Sequence, residues 1–353
     1  MPYQQNRETP ACDQELLPVL PDMPAGWNHR EMADGVILQR DGLNVGPNVA
    51  CTCVIGAFDG VHLGHRALIQ KACDDARMRG LPCVVVTFDP DPAEVIVGIR
   101  PLTQLLLSED RLALLACCGS DALICLKFTP SFAKLPWREF ALGALRRYFL
   151  PVSVHVGTNF RFGKDGQGDP AALAELGREY GFEVSAHELV ASGNEVVSAT
   201  RIRHLVRSGA LQEANSLLGR LHFVRGTVVR GRGQGGDFGF PTANVEVDAK
   251  LCMPAEGVYG GWFISSSTAW PAAVNVGAPP TFTKLKHPSF LEANLVGFKG
   301  DLYGSTVAVA FSAYRRSSHP FDSIAALEQT ISRDVSWVQT NIGDHRISCG
   351  REV

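Results

Sequence analysis

What most limits how this chain can fold is a strand, a turn, a helix and a second strand packed into residues 49–88. VACTCVIGAF (49–58) is almost wholly apolar and rich in β-branched side chains, as a strand buried on both faces requires. It runs into DGVHLG and then a helix over His65–Arg79 that ends at Gly80. Leu68, Ile69, Ala72, Cys73 and Ala76 recur along that helix at the spacing of one face. LPCVVVTF (81–88) reads as the second strand. A strand–helix–strand run of this length predicts a parallel pair with a right-handed crossover.

The alternation continues. Ser108 is placed to cap a helix reaching about Cys118, DALICLKF (121–128) is a strand, and Pro136 sits where a first helical residue would, ahead of WREFALGALRRYF. PVSVHVG (151–157) is a strand, Asp169-Pro170 opens a helix that Gly181 closes, and GFEVSAHELV is a further strand. Thr200 to about Arg220 is helical with a break near Gly209. This part is α/β and doubly wound, Rossmann-like in character. Beyond Arg220 the chain changes to short β-rich segments punctuated by glycine and proline: FVRGTVVRG, ANVEV, GVYGGWFI, AAVNVG, FLEANLVGF and STVAVAFSAY. These predict an antiparallel barrel or sandwich. A last helix follows over about Ile324–Val338, with Ile324, Leu327, Ile331 and Val335 on one face. The expected organisation is a poorly ordered, proline- and polar-rich extension (1–45), an α/β domain (46–218) and a mainly antiparallel β-barrel domain with a C-terminal helix (219–345).

Composition excludes several classes. With 45% hydrophobic and 20% charged residues, most of the chain is expected to be globular. No run approaches the apolar length of a transmembrane helix, and MPYQQNRETPACDQ lacks the basic-then-apolar order of a secretory signal. A net charge of −3 argues against a nucleic-acid binder. None of the ten cysteines forms a C-x-x-C pair, so buried reduced thiols in a cytoplasmic protein are expected.

Three polar loops fall at strand ends of the α/β half, GAFDGVHLGH (56–65), TFDPDP (87–92) and VGTNFRFGKDGQGD (156–169), and a fourth polar segment, SATRIR (198–203), at a helix start; together they are expected at one edge of the sheet. In an open α/β sheet that edge is where ligands bind. His62 and His65 bracket a helix N-terminus, whose N–H groups attract anions; the alternative is a tight turn with incidental histidines. The VGTNFRFGKD stretch misses P-loop spacing. Gly231, Gly233 and Gly236 spell G-x-G-x-x-G, but no helix follows, and a β flap over phosphates is the better use of the run. In PTAN, which follows at once, Thr242 and Asn244 offer oxygens two residues apart to one magnesium ion; a capped turn is the alternative. Glu292 lies among apolar residues of FLEANLVGF, either as a general base or as an ordinary strand carboxylate.

The ordered set GAFDGVHLGH, TFDPDP, VGTNFRFG, SATRIR, LLGR, GFPTAN, EGVYGG, NVGAPPTF and DLYG resembles the bacterial bifunctional riboflavin kinase/FMN adenylyltransferase family, over about residues 50–340. The resemblance implies two ATP-dependent reactions in FAD synthesis. In the C-terminal module riboflavin is phosphorylated to FMN, with Glu292 as base, Thr242 and Asn244 holding Mg2+ and phosphate, and Gly231, Gly233 and Gly235 in the phosphate flap. In the N-terminal module FMN is adenylylated to FAD. There His62 and His65 would hold the triphosphate, with Gly56, Phe58, Asp59, Gly64, Asn159, Ser198, Thr200 and Arg203 as nucleotide and phosphate contacts. Partners are thus riboflavin, FMN and ATP, with no nucleic acid or membrane, and a monomer or weak homo-oligomer is expected. The sequence departs from the family pattern at Ala57, Asp91, Ala199, Gly236, Pro279 and Gly297. Asp91 stands where histidine is usual, which reverses the local sign and predicts weaker anion binding. The alternative reading is a divergent member with a weak kinase half or an altered flavin or nucleotide.

Overall fold

The computed structural model describes residues 23–97, 103–230, 242–277, 290–318 and 323–348. The N-terminal strands are β1 (Trp27–Met32), β2 (Gly35–Arg40), β3 (Ala50–Ile55), β4 (Cys83–Asp89), β5 (Ala122–Lys127), β6 (Leu150–Gly157) and β7 (Glu183–His187), with a small ribbon of β8 (Ala191–Ser192) and β9 (Glu195–Val196). Helices α1 (Leu63–Arg79), α2 (Pro92–Val97), α3 (Ser108–Ala116), α4 (Pro130–Ala133), α5 (Trp137–Leu145), α6 (Pro170–Tyr180) and α7 (Ala199–Arg207) alternate with them. The sheet order is β1-β2-β5-β4-β3-β6-β7. From β5 to β7 every pairing is parallel, so the expected βαβ unit is present as β3–α1–β4. The parallel part begins in the middle at β3, winds out through β4 to β5, then crosses back to β6 on the other side. The point where the winding reverses lies between β3 and β6, and their carboxyl ends open the crevice in which such sheets bind ligands.

Local chemistry fixes the element ends. Gly80 closes α1 in the left-handed region (φ 65°), and its N–H bonds the carbonyls of Ala76 and Arg77. Asp169 caps α6 through the Ala172 N–H, and Gly181 ends it at φ 79°. Ser108 does not cap α3: Leu107 occupies that position without a side-chain bond, and Ser108 is the first helical residue. The strands are buried on both faces, with Val54, Val84, Val86, Ile124, Val154 and Val156 at the centre.

Part of the expected disordered extension is structured. β1 and β2 pair as an antiparallel hairpin around Ala33-Asp34, and β2 joins the sheet antiparallel to β5. Gly35, Ile37 and Gln39 face inward. The buried Gln39 amide oxygen accepts the Val45 N–H at 3.0 Å, so a polar residue holds a core position. Residues 1–22 lie outside the described residues.

The C-terminal unit contains α8 (Leu211–Leu218), β10 (His222–Val229), β11 (Thr242–Val247), β12 (Gly257–Ser265), β13 (Thr268–Val276), β14 (Phe290–Leu295), β15 (Thr306–Arg316), α9 (Ile324–Asn341) and β16 (Ile347–Ser348). Six strands run in the order β12-β15-β10-β11-β14-β13, all antiparallel, and β13 pairs again with β12. Closure removes the sheet edges, as a barrel requires. Gly260 lets α9 approach: a Cβ there would stand 2.6 Å from the Trp337 ring. Two compact units divide at Arg201/Ile202. Asn215 of α8 supplies the physical reason. Its amide donates to the Phe311 carbonyl at 3.0 Å and its oxygen accepts the His222 N–H at 2.7 Å, fastening α8 to β15 and β10. Cys51, Cys53, Cys73, Cys83, Cys125 and Cys252 are buried.

Candidate active sites

The first site grows from the carboxyl end of β3. Gly56 leaves the strand with its N–H still bonded to the Val86 carbonyl at 3.1 Å. The next carbonyl, Ala57, accepts the Thr87 hydroxyl at 3.1 Å, which ties this turn to the end of β4. Phe58 is buried in the left-handed region (φ 56°), and Gly60 follows at φ 77° with room only for hydrogen: a Cβ would lie 2.6 Å from Leu105. Asp59 is 5% exposed, and its two oxygens accept the Leu105 N–H at 3.0 and 3.2 Å. Asp59 is therefore a brace of the turn.

His62 caps α1. Its Nδ1 accepts the His65 N–H at 3.3 Å, so in the neutral ring the proton sits on Nε2 and makes that nitrogen a donor. The two imidazoles stack at 3.6 Å between centroids, and Phe58 meets His65 edge-on at 5.2 Å. Gly64 sits where a Cβ would come 3.2 Å from the His62 ring. Two imidazoles thus lie side by side on a helix N-terminus at the winding reversal, where the helix dipole favours an anion.

Across the reversal, Asn159 is exposed just beyond β6, with its amide oxygen beside Gly157. Ser198 accepts the Arg201 N–H at 3.3 Å and so caps α7; Ala199 is the first residue of that helix, Thr200 is exposed and Arg203 is half-buried. Asp91 is buried, and its role is local: its carboxylate accepts the Ala93 N–H at 2.9 Å at the start of α2 and lies 3.8 Å from the guanidinium of Arg111. The expected reversal of charge is thereby offset within the protein.

The second site lies on the barrel. Thr242 and Asn244 face the same side of β11, opposite the buried Ala243 and Val245. Glu292 of β14 is the register partner of Asn244 on one side and of Asn275 on β13 on the other. The Thr242 hydroxyl donates to Glu292 Oε1 at 2.8 Å. A half-buried polar row, Asn244–Glu292–Asn275, therefore crosses three strands, with Thr242 diagonal to its carboxylate. Donation of its only proton leaves the Thr242 oxygen lone pairs for another partner. Asn275 was missed in the sequence, where it is simply the first residue of NVGAPPTF; the structure adds it to the row and bonds its oxygen to the Ser318 hydroxyl at 2.8 Å. Gly231, Gly233, Gly235, Gly236 and Pro279 lie outside the described residues; Gly297 is an exposed turn glycine.

A third polar cluster, also unforeseen, lies beneath the β6–β7 edge. His155 Nε2 meets Asp75 of α1 at 3.1 Å and its Nδ1 meets His187 at 2.9 Å. Burial, aided by the charges of His155 and Lys71, holds the His187 imidazole below its ordinary pKa.

With both geometries in view, similarity to known proteins decides the family. The FAD synthetase family model matches residues 47–201 and the riboflavin kinase family model matches residues 218–342. Bifunctional riboflavin kinase/FMN adenylyltransferase from Escherichia coli is 34% identical over 83% of this chain and 93% of its own length. The chain belongs to the bifunctional riboflavin kinase/FMN adenylyltransferase family. The member from Bacillus subtilis is 30% identical over 79% of this chain and 89% of its own. A crystal structure described as a macrolide-efflux protein from Streptococcus pneumoniae superposes with TM-score 0.73 and 29% identity, covering 82% of this chain and 94% of that one. Among the described residues, no helix is long and apolar enough to cross a membrane.

Proposed function

We propose that the barrel row phosphorylates riboflavin and that the cradle at the β3/β6 reversal adenylylates FMN, so that the two family activities occupy one site each. The observation that carries the first assignment is the Glu292 carboxylate, held by the Thr242 hydroxyl at 2.8 Å between two asparagines in register. Glu292 takes the proton of the riboflavin 5′-hydroxyl as its oxygen bonds the γ-phosphorus of ATP; the bond from that phosphorus to the bridging oxygen breaks and ADP leaves. The Thr242 bond fixes Oε1 and leaves Oε2 as the oxygen assigned to the substrate.

The donor set fits magnesium: a hydroxyl oxygen, an amide oxygen and a carboxylate are the hard ligands that Mg2+ accepts while keeping water and phosphate in its other positions. Thr242 and Asn244 would hold the ion. When bound, it supplies charge neutralisation for the transferring phosphoryl group.

In the α/β unit the FMN phosphate is already anionic near neutral pH and needs no base. Its oxygen bonds the α-phosphorus of ATP, the bond to the β-phosphate bridge breaks, and pyrophosphate leaves. Catalysis is positioning and charge stabilisation by the α1 N-terminus, His62 and His65, with Asn159, Ser198 and Thr200 as further nucleotide contacts. The proposed setting is the cytoplasm, as a monomer or weak homo-oligomer. Glu292→Gln is expected to lower FMN formation by roughly 10²–10⁴-fold while sparing FMN-to-FAD conversion, read by chromatographic separation of flavins. His65→Ala should do the reverse. Loss of both activities from either substitution would refute the division of labour.

A further inference from the structure

Arg111 of α3 is 1% exposed, an unusual place for a permanent charge. Its Nη2 donates to the Phe88 carbonyl at 2.5 Å and lies 3.8 Å from Asp89 Oδ1, while Nη1 lies 3.8 Å from Asp91 Oδ2. All three partners belong to the carboxyl end of β4 and the residues that leave it. That end is bound to the cradle through the Thr87–Ala57 bond, so two carboxylates stand one strand away from where a triphosphate and a flavin phosphate are to be gathered. Left alone, they would repel both substrates. The α2 N-terminus takes one Asp91 oxygen through the Ala93 N–H, and the guanidinium faces the other. A forked, planar cation can meet two carboxylates and a carbonyl at once, which an ammonium on a single stem does less well.

We propose that Arg111 is a positioning residue for adenylyl transfer: it holds the buried Asp91 against α3 and faces the half-exposed Asp89, so that the β4 edge of the cradle presents a compensated rather than a bare negative charge to the polyphosphate and FMN. The proposal rests on the placement of adenylyl transfer at that cradle. It gives Asp91 a use as helix cap and ion-pair partner.

The test uses the full-length protein with FMN and ATP, following FAD. Arg111→Gln removes the charge while keeping a donor for Phe88, and it is expected to raise the KM for ATP about tenfold or more with a smaller change in kcat. Added salt, which screens repulsion, should then lower that KM, whereas salt raises the parent's. Asp91→Asn keeps the α2 cap; placed in the Arg111→Gln background it should bring KM back to within about threefold of the parent and abolish the inverted salt response. Riboflavin phosphorylation should be unchanged in both. Arg111→Lys, which retains the charge if Gln fails to fold, should keep the parent's salt response. An unchanged KM in Arg111→Gln, no rescue by Asp91→Asn, or a Lys variant as impaired as the Gln variant would overturn the proposal. His65→Ala is assayed alongside: if it leaves adenylylation intact, the placement of the site fails. If it impairs adenylylation while Arg111→Gln does not, only the role of Arg111 fails.

Discussion

Acid should loosen the barrel through one imidazole. His222 opens β10, is fully buried, and bonds the Cys252 carbonyl through Nε2 at 2.8 Å. Burial pushes its pKa from an ordinary 6.5 down to about 4; the Cys252 carbonyl opposes this and the Arg220 charge adds to it. Between those values the unfolded chain binds a proton that the folded chain refuses, so stability is whole above 6.5 and is lost as pH falls toward 4. The full shift corresponds to about 3 kcal/mol, and the part lost between about pH 7.5 and pH 5 to about 2 kcal/mol. His222→Gln keeps a donor toward Cys252 and removes the titration. Urea unfolding of the full-length chain, followed by tryptophan fluorescence and by riboflavin kinase activity recovered on return to neutral pH, should show the parent losing about 2 kcal/mol more than the variant over that interval. Parallel losses in parent and variant would refute the reasoning, because the titrating group would then lie elsewhere.

Three further outcomes are expected. Thr242→Val removes the hydroxyl that orients Glu292 and should slow riboflavin phosphorylation about 10- to 100-fold in steady-state assays, with adenylylation unaltered. Gly60→Ala forces a side chain into the left-handed region and against Leu105, so FAD formation from FMN should fall while FMN formation persists, with a stability loss of about 1–3 kcal/mol by denaturant titration. Asp334→Ala removes the buried carboxylate to which Arg316 donates at 2.6 Å and should cost about 1–3 kcal/mol in unfolding experiments by loosening the α9–β15 contact.

The fold was legible wherever the chain alternates apolar strands with capped helices. β3–α1–β4 could be read because its strands are buried on both faces and Gly80 marks the end of α1; the barrel strands could be read from short β-branched runs between glycines. The β1–β2 hairpin was missed although GVILQR alternates correctly, because Gln39 breaks the apolar pattern. Its side chain is buried only by virtue of Val45, six residues on, which no periodicity records. The unit on which α8 packs is hidden for a similar reason. α7 and α8 look like further crossover helices, and only Asn215, bonded to β10 and to the distant β15, shows where α8 belongs.

The candidate sites show in the sequence as motifs, and their partnerships do not. His62 and Glu292 announce themselves by position at a strand end or among apolar residues, whereas the sign of the field around Asp91 depends on Arg111, which follows it in a different helix. An aspartate in place of histidine reads as a lost anion contact when taken alone. Beside a buried guanidinium and a helix N-terminus it is a compensated group, and the charge to count is that of the cluster. The same holds for Asn275, which means nothing until β13 and β14 are in register and it stands across from Glu292. A substitution at either position should therefore be judged with its partner: Asp91→His in this chain would return the usual residue but remove the carboxylate that Arg111 faces. It is expected to impair folding or adenylylation unless Arg111 changes with it.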